Sequence, residues 1–299
     1  MIALYFLALF SLSQSANLVR LAQAPPDVIG FWRLLAASVL ILPFAFKKRQ
    51  ELPAFRLGNY AWPALSSVFF FGHLWTYVYS AQHTTIAHCM IIFATNPLFT
   101  SLGAAYFFKD AFPRRLVAAY ILAFIGLYFL LSQSISGKMG SIDGDISALI
   151  SGILFAGYIL TGKKSRQAFT NTHYTFVIYL LTALLFGING ASSGKDFIHY
   201  PPIMWACVVI LVLMPTLLGH SLFSYLMKFM NIGLMTCGKL IEPLLSAVVA
   251  YYLFNETLNE WTVLSFIFMG IALIVLFWPE IKLQWKRGIP GFRRPPTAL

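Results

Sequence analysis

Three charged side chains lie well inside apolar stretches of this sequence: Arg33, Lys239 and Glu242. A charge at the centre of a membrane-length segment costs about 2.5–3.5 kcal/mol on insertion scales, so such residues are the first candidates for function. Glu242 is the one carboxylate so placed among 10 acidic residues. Lys239 and Glu242 are three residues apart, which makes them neighbours on one helix face. Pro243 follows; it donates no backbone hydrogen bond, so the carbonyl of Lys239 one turn earlier is left free at a helix break. Two readings of the pair stay open. It can be a charged patch that binds a substrate amine, a carboxylate or a proton, or a self-satisfied ion pair that fixes packing. Arg33 has the same two sides: its guanidinium can face a cavity, or snorkel toward the outer interface and pair with backbone carbonyls.

Weaker polar candidates surround these. In the segment of His73, Trp75, Tyr77 and Tyr79, His73 and Tyr77 share one helix face, and Trp75 and Tyr79 share another. Aromatic faces with a few polar groups line organic-substrate cavities. Interfacial belts look similar, and a belt suits Tyr79 near the helix end. His88 and His220 can relay protons or be hydrogen-bonded structure. Ser13, Asn17 and Arg20 form a polar stripe, with Gln14 beside it, on the first apolar segment. Such a stripe reads as a helix–helix contact.

The elements that hold these residues follow from composition. The chain has 299 residues, 59% hydrophobic and 10% charged, with a mean hydropathy of +0.75. Soluble domains carry about 25% charged residues, so a water-soluble enzyme is excluded. Apolar runs near the roughly 20 residues of a membrane span occupy 2–20, 28–46, 60–80, 84–107, 115–132, 146–162, 173–190, 203–222, 233–254 and 262–278. Breaks fall at Pro25-Pro26, Lys47 to Arg49, Gln82 to Thr84, Lys109-Asp110, Gly137 to Gly144, Lys163-Lys164, Ser192 to Lys195, Asn231 and Asn255-Glu256. The first span is read as retained. Ala22-Gln23-Ala24 looks like a signal-peptide cleavage site, but no Lys or Arg precedes the apolar run and Pro25 would become the amino terminus.

Charge sets orientation. With the amino terminus inside, sixteen basic residues fall in cytoplasmic loops and the tail, against Arg20, Lys138 and Lys195 outside. The positive-inside rule therefore supports ten spans with both termini cytoplasmic. The net charge of +11 is a membrane-topology signal and no sign of nucleic acid. Cys89, Cys207 and Cys237 lie in apolar stretches without CxxC spacing or a neighbouring His, so neither a disulfide framework nor structural zinc is expected. No dinucleotide, phosphate-loop, zinc-protease or nucleophile-elbow motif occurs.

The chain also repeats itself. Ala94 to Asp110 lies over Leu240 to Glu256, with Pro97/Pro243, Leu98/Leu244, Tyr106/Tyr252 and Phe108/Phe254 coinciding. Asn96 precedes the first shared proline as Glu242 precedes the second, which adds Asn96 to the cavity candidates. An odd number of spans per copy makes the copies enter the bilayer in opposite senses, as in secondary transporters. The expected architecture is all-α and polytopic: ten transmembrane helices as two inverted five-helix repeats, 1–137 and 144–280, with a basic cytoplasmic tail, 281–299.

Phe31-Trp-Arg33-Leu-Leu-Ala-Ala, the two Pro-Leu segments, Gly144-Asp145-Ile-Ser-Ala-Leu-Ile and Phe268-Met-Gly270-Ile-Ala-Leu-Ile together resemble the drug/metabolite transporter superfamily in its ten-helix EamA-type branch. The resemblance extends to about residue 280 and departs at Lys109-Asp110, where the family usually has Gly-Glu. It implies an inner-membrane carrier, often an exporter, of small organic solutes such as amino acids, metabolites or drugs. The site residues expected are Arg33, His73, Tyr77, Asn96, Lys239 and Glu242, with helix breaks at Pro97 and Pro243. No cofactor or metal is expected; the partners are a small-molecule substrate, the lipid bilayer and protons, and no nucleic acid. The alternatives are an intramembrane lipid-modifying enzyme, which needs a denser acid–base constellation, and a non-transporting scaffold.

Labelling of single cysteines placed in the loops should find position 164 inside and position 194 outside. Finding both on one side would contradict the inverted arrangement.

Overall fold

The computed structural model describes residues 2–46, 57–109, 114–136, 140–230, 235 and 238–287. The loop expected over Lys47 to Arg56, together with Asp110, Lys138, Asn231, Cys237 and the tail beyond residue 287, lies outside the described residues.

The described residues form ten helical rods and no strand. They are α1 (Ile2–Ser13 and Ser15–Ala22), α2 (Pro26–Ala45), α3 (Leu57–His83), α4 (Ile86–Phe93 and Asn96–Phe108) and α5 (Arg114–Ile135). The chain continues through α6 (Ile142–Ser165), α7 (Asn171–Ser192), α8 (Pro202–Leu226), α9 (Gly238–Ile241 and Glu242–Phe254) and α10 (Glu260–Arg287). By length and composition α2, α4, α6, α7 and α8 can each cross a membrane.

Local chemistry sets the ends. Thr85, Ser141 and Thr170 cap α4, α6 and α7 by accepting the backbone N–H of the residue three ahead. Prolines open α2 and α8, where the missing donor costs nothing. Beyond α7, the Asp196 carboxylate accepts the backbone N–H of Ile198 at 2.8 Å and meets the His199 ring nitrogen at 2.6 Å. These bonds, the one from Ile198 foremost, hold its carboxyl below the usual carboxylate range.

Three rods are less regular than expected. α1 turns at Gln14, and α4 breaks at Ala94 and Thr95, just before Asn96-Pro97. In α8, residues Val212–Ser221 are π-helical. Pro215 inside this stretch removes a donor. The wider turn brings Thr216 Oγ1 to the carbonyl of Leu211, five residues back, at 2.7 Å.

α3 packs along α6, and α1 along α8. α2 packs on α7, α5 on α10, and α4 on both α6 and α9. Small residues permit close approach: a Cβ on Gly126 of α5 would lie 3.0 Å from the Ser265 carbonyl of α10. Outward-facing apolar residues such as Phe44, Tyr128, Ile188, Val209 and Tyr252 are exposed, a surface suited to acyl chains.

The polar stripe of α1 makes helix–helix contacts. Asn17 donates to the Ser246 carbonyl of α9 at 3.1 Å. Arg20 donates to the carbonyls of Ala81, at 2.7 Å, and Thr84, and pairs with Glu256. The Glu256 carboxylate also accepts the Ile86 backbone N–H at 3.0 and 3.1 Å. One ion pair thus ties the ends of α1, α3 and α9 to the start of α4. Glu256→Ala should lower the thermal midpoint, and a double-mutant cycle with Arg20→Ala should give a coupling of about 1–2 kcal/mol. Additive losses would show that the pair does not couple these ends.

Candidate functional site

The residues singled out in the sequence converge at the middle of the bundle. Arg33, His73, Tyr77, Asn96, Lys239 and Glu242 are all buried, none more than 4% exposed. Each sits near a break or an irregular turn of its own rod or of a neighbouring one.

Lys239 lies in the 3₁₀ turn of α9, Gly238–Ile241, and Glu242 starts the α-helix that follows. Their ion pair is 2.6 Å long. Three rings surround the ammonium: Phe93 of α4 at 5.6 Å, Phe155 of α6 at 5.1 Å and Phe223 of α8 at 5.4 Å. Such rings present their negative faces to a cation and exclude water from it. Bond and cage together make Lys239 a held charge.

His73 lies beside this cage. Its Nδ1 meets Ser151 Oγ of α6 at 2.8 Å, and its ring stacks on Phe93 with centroids 5.3 Å apart. His220, from the π-helical part of α8, stands 6.3 Å from the His73 ring and 4.9 Å from Phe70. Tyr77, one turn beyond His73, donates to Met90 Sδ at 3.0 Å and also contacts Phe93.

Arg33 joins the cluster from α2. Its Nε donates to Thr216 Oγ1 at 2.6 Å, and its Nη1 reaches Ser15 Oγ at 3.5 Å. It neither snorkels nor uses backbone carbonyls, because hydroxyls from α1 and α8 face it inside the bundle. Asn96 stands at the edge. Its Nδ2 donates to the Phe93 carbonyl at 2.8 Å, and its Oδ1 has no partner among the described residues. Pro97 and Pro243 occupy the first turns of equal 13-residue helices, Asn96–Phe108 and Glu242–Phe254. Both helices end on a left-handed residue, Lys109 (φ 58°) and Asn255 (φ 52°). The same register places Phe93 opposite Lys239, and these two counterparts meet in the cage.

Sequence reasoning missed several members. Phe155 and Phe223 carried no signal among 28 phenylalanines, and Ser15, Ser151 and Thr216 carried none as common hydroxyls. Phe93 was discoverable as the counterpart of Lys239 in the repeat. Two acids at span edges are also buried: Asp27 accepts from Asn189 at 2.8 Å, and Asp145 accepts from Thr84 at 2.8 Å and meets His88 at 3.2 Å. His88 is therefore tied to α6, away from the cage, and Trp75 and Tyr79 stack on each other toward the helix end. Among the described residues no group of three or more His, Cys, Asp or Glu is arranged to hold a metal.

The arrangement has two buried cations, one buried carboxylate, two histidines and an aromatic wall, contributed by α1, α2, α3, α4, α6, α8 and α9. It can recognise a small polar solute with an apolar part.

The model of the EamA-like transporter family matches residues 1–132 and again 142–278. An uncharacterized transporter of Archaeoglobus fulgidus is 26% identical over 253 residues, 84% of this chain and 86% of that protein. The uncharacterized inner membrane transporter YedA of Escherichia coli K12 is 26% identical over 264 residues, 84% of this chain and 82% of that one. A crystal structure with 15% sequence identity superimposes with a TM-score of 0.73, covering 94% of this chain and 98% of the other. At that identity the likeness establishes the fold alone.

Proposed function

The chain belongs to the EamA-like transporter family, a multi-pass membrane transporter by descent, and from that premise we propose that it is a secondary carrier of a small organic solute. The observation that carries the proposal is the buried cluster of Arg33, His73, Lys239 and Glu242, built from both halves of the chain. Intramembrane charges are costly and mark substrate or ion pathways, and a packing role alone does not need two cations from different helices at one place. A lipid-modifying enzyme would need its acid–base groups open to the bilayer, whereas these are enclosed by helices.

Alternating access between two inverted halves supplies the mechanism. Two features support it. The register of the equal helices in α4 and α9 is shared, and exchanging each rod with the one five later maps the packing pairs onto each other. α3 on α6 becomes α8 on α1, while α2 on α7, α4 on α9 and α5 on α10 map onto themselves. Rocking one half against the other would expose the cluster to each side in turn. Both termini lie in the cytoplasm in this reading, and the direction is export.

Lys239 and Glu242 are the switchable pair. A substrate charge that displaces Lys239 frees the Glu242 carboxylate to bind an amine or take up a proton in one state only. A thermal-shift screen of the purified protein across amino acids, nucleosides, polyamines and organic acids identifies the solute. In reconstituted vesicles, Glu242→Gln should then abolish the dependence of transport on an imposed pH gradient or weaken substrate affinity about tenfold or more. Wild-type affinity and gradient dependence in the variant would make Glu242 a structural residue.

A further inference from the structure

Arg33 is enclosed, at 1% exposure, yet its guanidinium is only partly used. A guanidinium offers five N–H donors in a planar fork that matches a carboxylate. Here Nε is bound to Thr216 at 2.6 Å, Nη1 reaches Ser15 only at 3.5 Å, and Nη2 has no partner among the described residues. Among the described residues no carboxylate pairs with Arg33. Glu242 is engaged by Lys239. The cluster therefore carries one formal positive charge without a counter-ion, in surroundings where an unpaired charge is expensive.

The fork is also held in place. Thr216 sits in the π-helical stretch of α8 and gives its hydroxyl proton to Leu211, so its oxygen is left to accept from Arg33. Its carbonyl accepts Tyr179 Oη from α7 at 3.2 Å, and that hydroxyl meets Ser221 at 3.0 Å. π-turns recur at functional sites, and this one orients a guanidinium whose outer edge is unoccupied. The rings of Phe70, Phe93 and Phe155 stand around the neighbouring histidines.

We propose that Arg33 is the carboxylate receptor of the carrier and that the transported solute is a small organic monoanion, seated with its carboxylate on the free edge of the guanidinium and its apolar part against these rings. This rests on the carrier reading above. One excess charge matches a monoanion; a phosphate dianion would overcompensate it, and an amine would add to it.

The test uses the full-length purified protein with acetate, butyrate and phenylacetate, each beside its amide, and with phenethylammonium, all at constant ionic strength. Phenylacetate should raise the thermal midpoint, and phenylacetamide should not. Arg33→Gln should weaken phenylacetate binding about tenfold or more in calorimetric titration. Arg33→Lys keeps the charge without the fork and should bind with intermediate affinity, which decides the matter if the glutamine variant does not fold. Equal binding of acid and amide, unchanged affinity in either variant, or no binding of any carboxylate overturns the assignment. Vesicle counterflow separates the two claims. Movement of labelled phenethylammonium without carboxylate binding leaves the carrier standing and removes the anion receptor. Carboxylate binding without movement of phenylacetate removes the carrier and keeps the receptor.

Discussion

In hydrocarbon no water is present to satisfy a polar group, so every buried charge must find its partner within the protein. This constraint organises the bundle. Glu242 meets it with Lys239 at 2.6 Å, and the ammonium is sheltered by rings from three other helices. Arg33 meets it only in part, through the hydroxyls of Thr216 and Ser15. A substrate charge must displace Lys239 before it reaches Glu242, whereas the half-satisfied guanidinium is prepared for a ligand as it stands.

The same constraint explains where the helices break. A rod that must present polar groups at mid-depth does so most readily where its hydrogen-bond ladder is interrupted. α4 is interrupted before Asn96-Pro97, α9 at Ile241 before Glu242-Pro243, and α8 through its π-helical turn around Pro215. All three interruptions face the cluster. The remaining polar contacts, such as Arg20 with Glu256, lie nearer the helix ends and fasten one end of the bundle.

Much of this was legible in the chain itself. Low charge and regular breakers mark the ten rods, because a membrane-spanning helix needs length and apolarity more than any specific residue. The shared prolines mark the equal helices Asn96–Phe108 and Glu242–Phe254. Arg33, Lys239 and Glu242 stand out because intramembrane charges are rare. Asp27 and Asp145 did not stand out, since they sit at span edges and their burial depends on Asn189 and Thr84 from distant helices. The π-turn of α8 was invisible: it shifts the register without changing hydropathy. The cage around Lys239 is invisible for another reason, since three phenylalanines from three helices become a site only when packed.

The central claim is that the cluster is a passage that opens, and not a sealed core. Side-specific thiol labelling tests it most directly. Ser151, which touches His73, is replaced by Cys after serine replaces Cys89, Cys207 and Cys237. A membrane-impermeant charged thiol reagent is then applied to right-side-out and to inverted vesicles. Reaction from both faces, slowed by bound solute, is the predicted result. No reaction from either face, while a cysteine in place of Lys195 reacts readily, would contradict it.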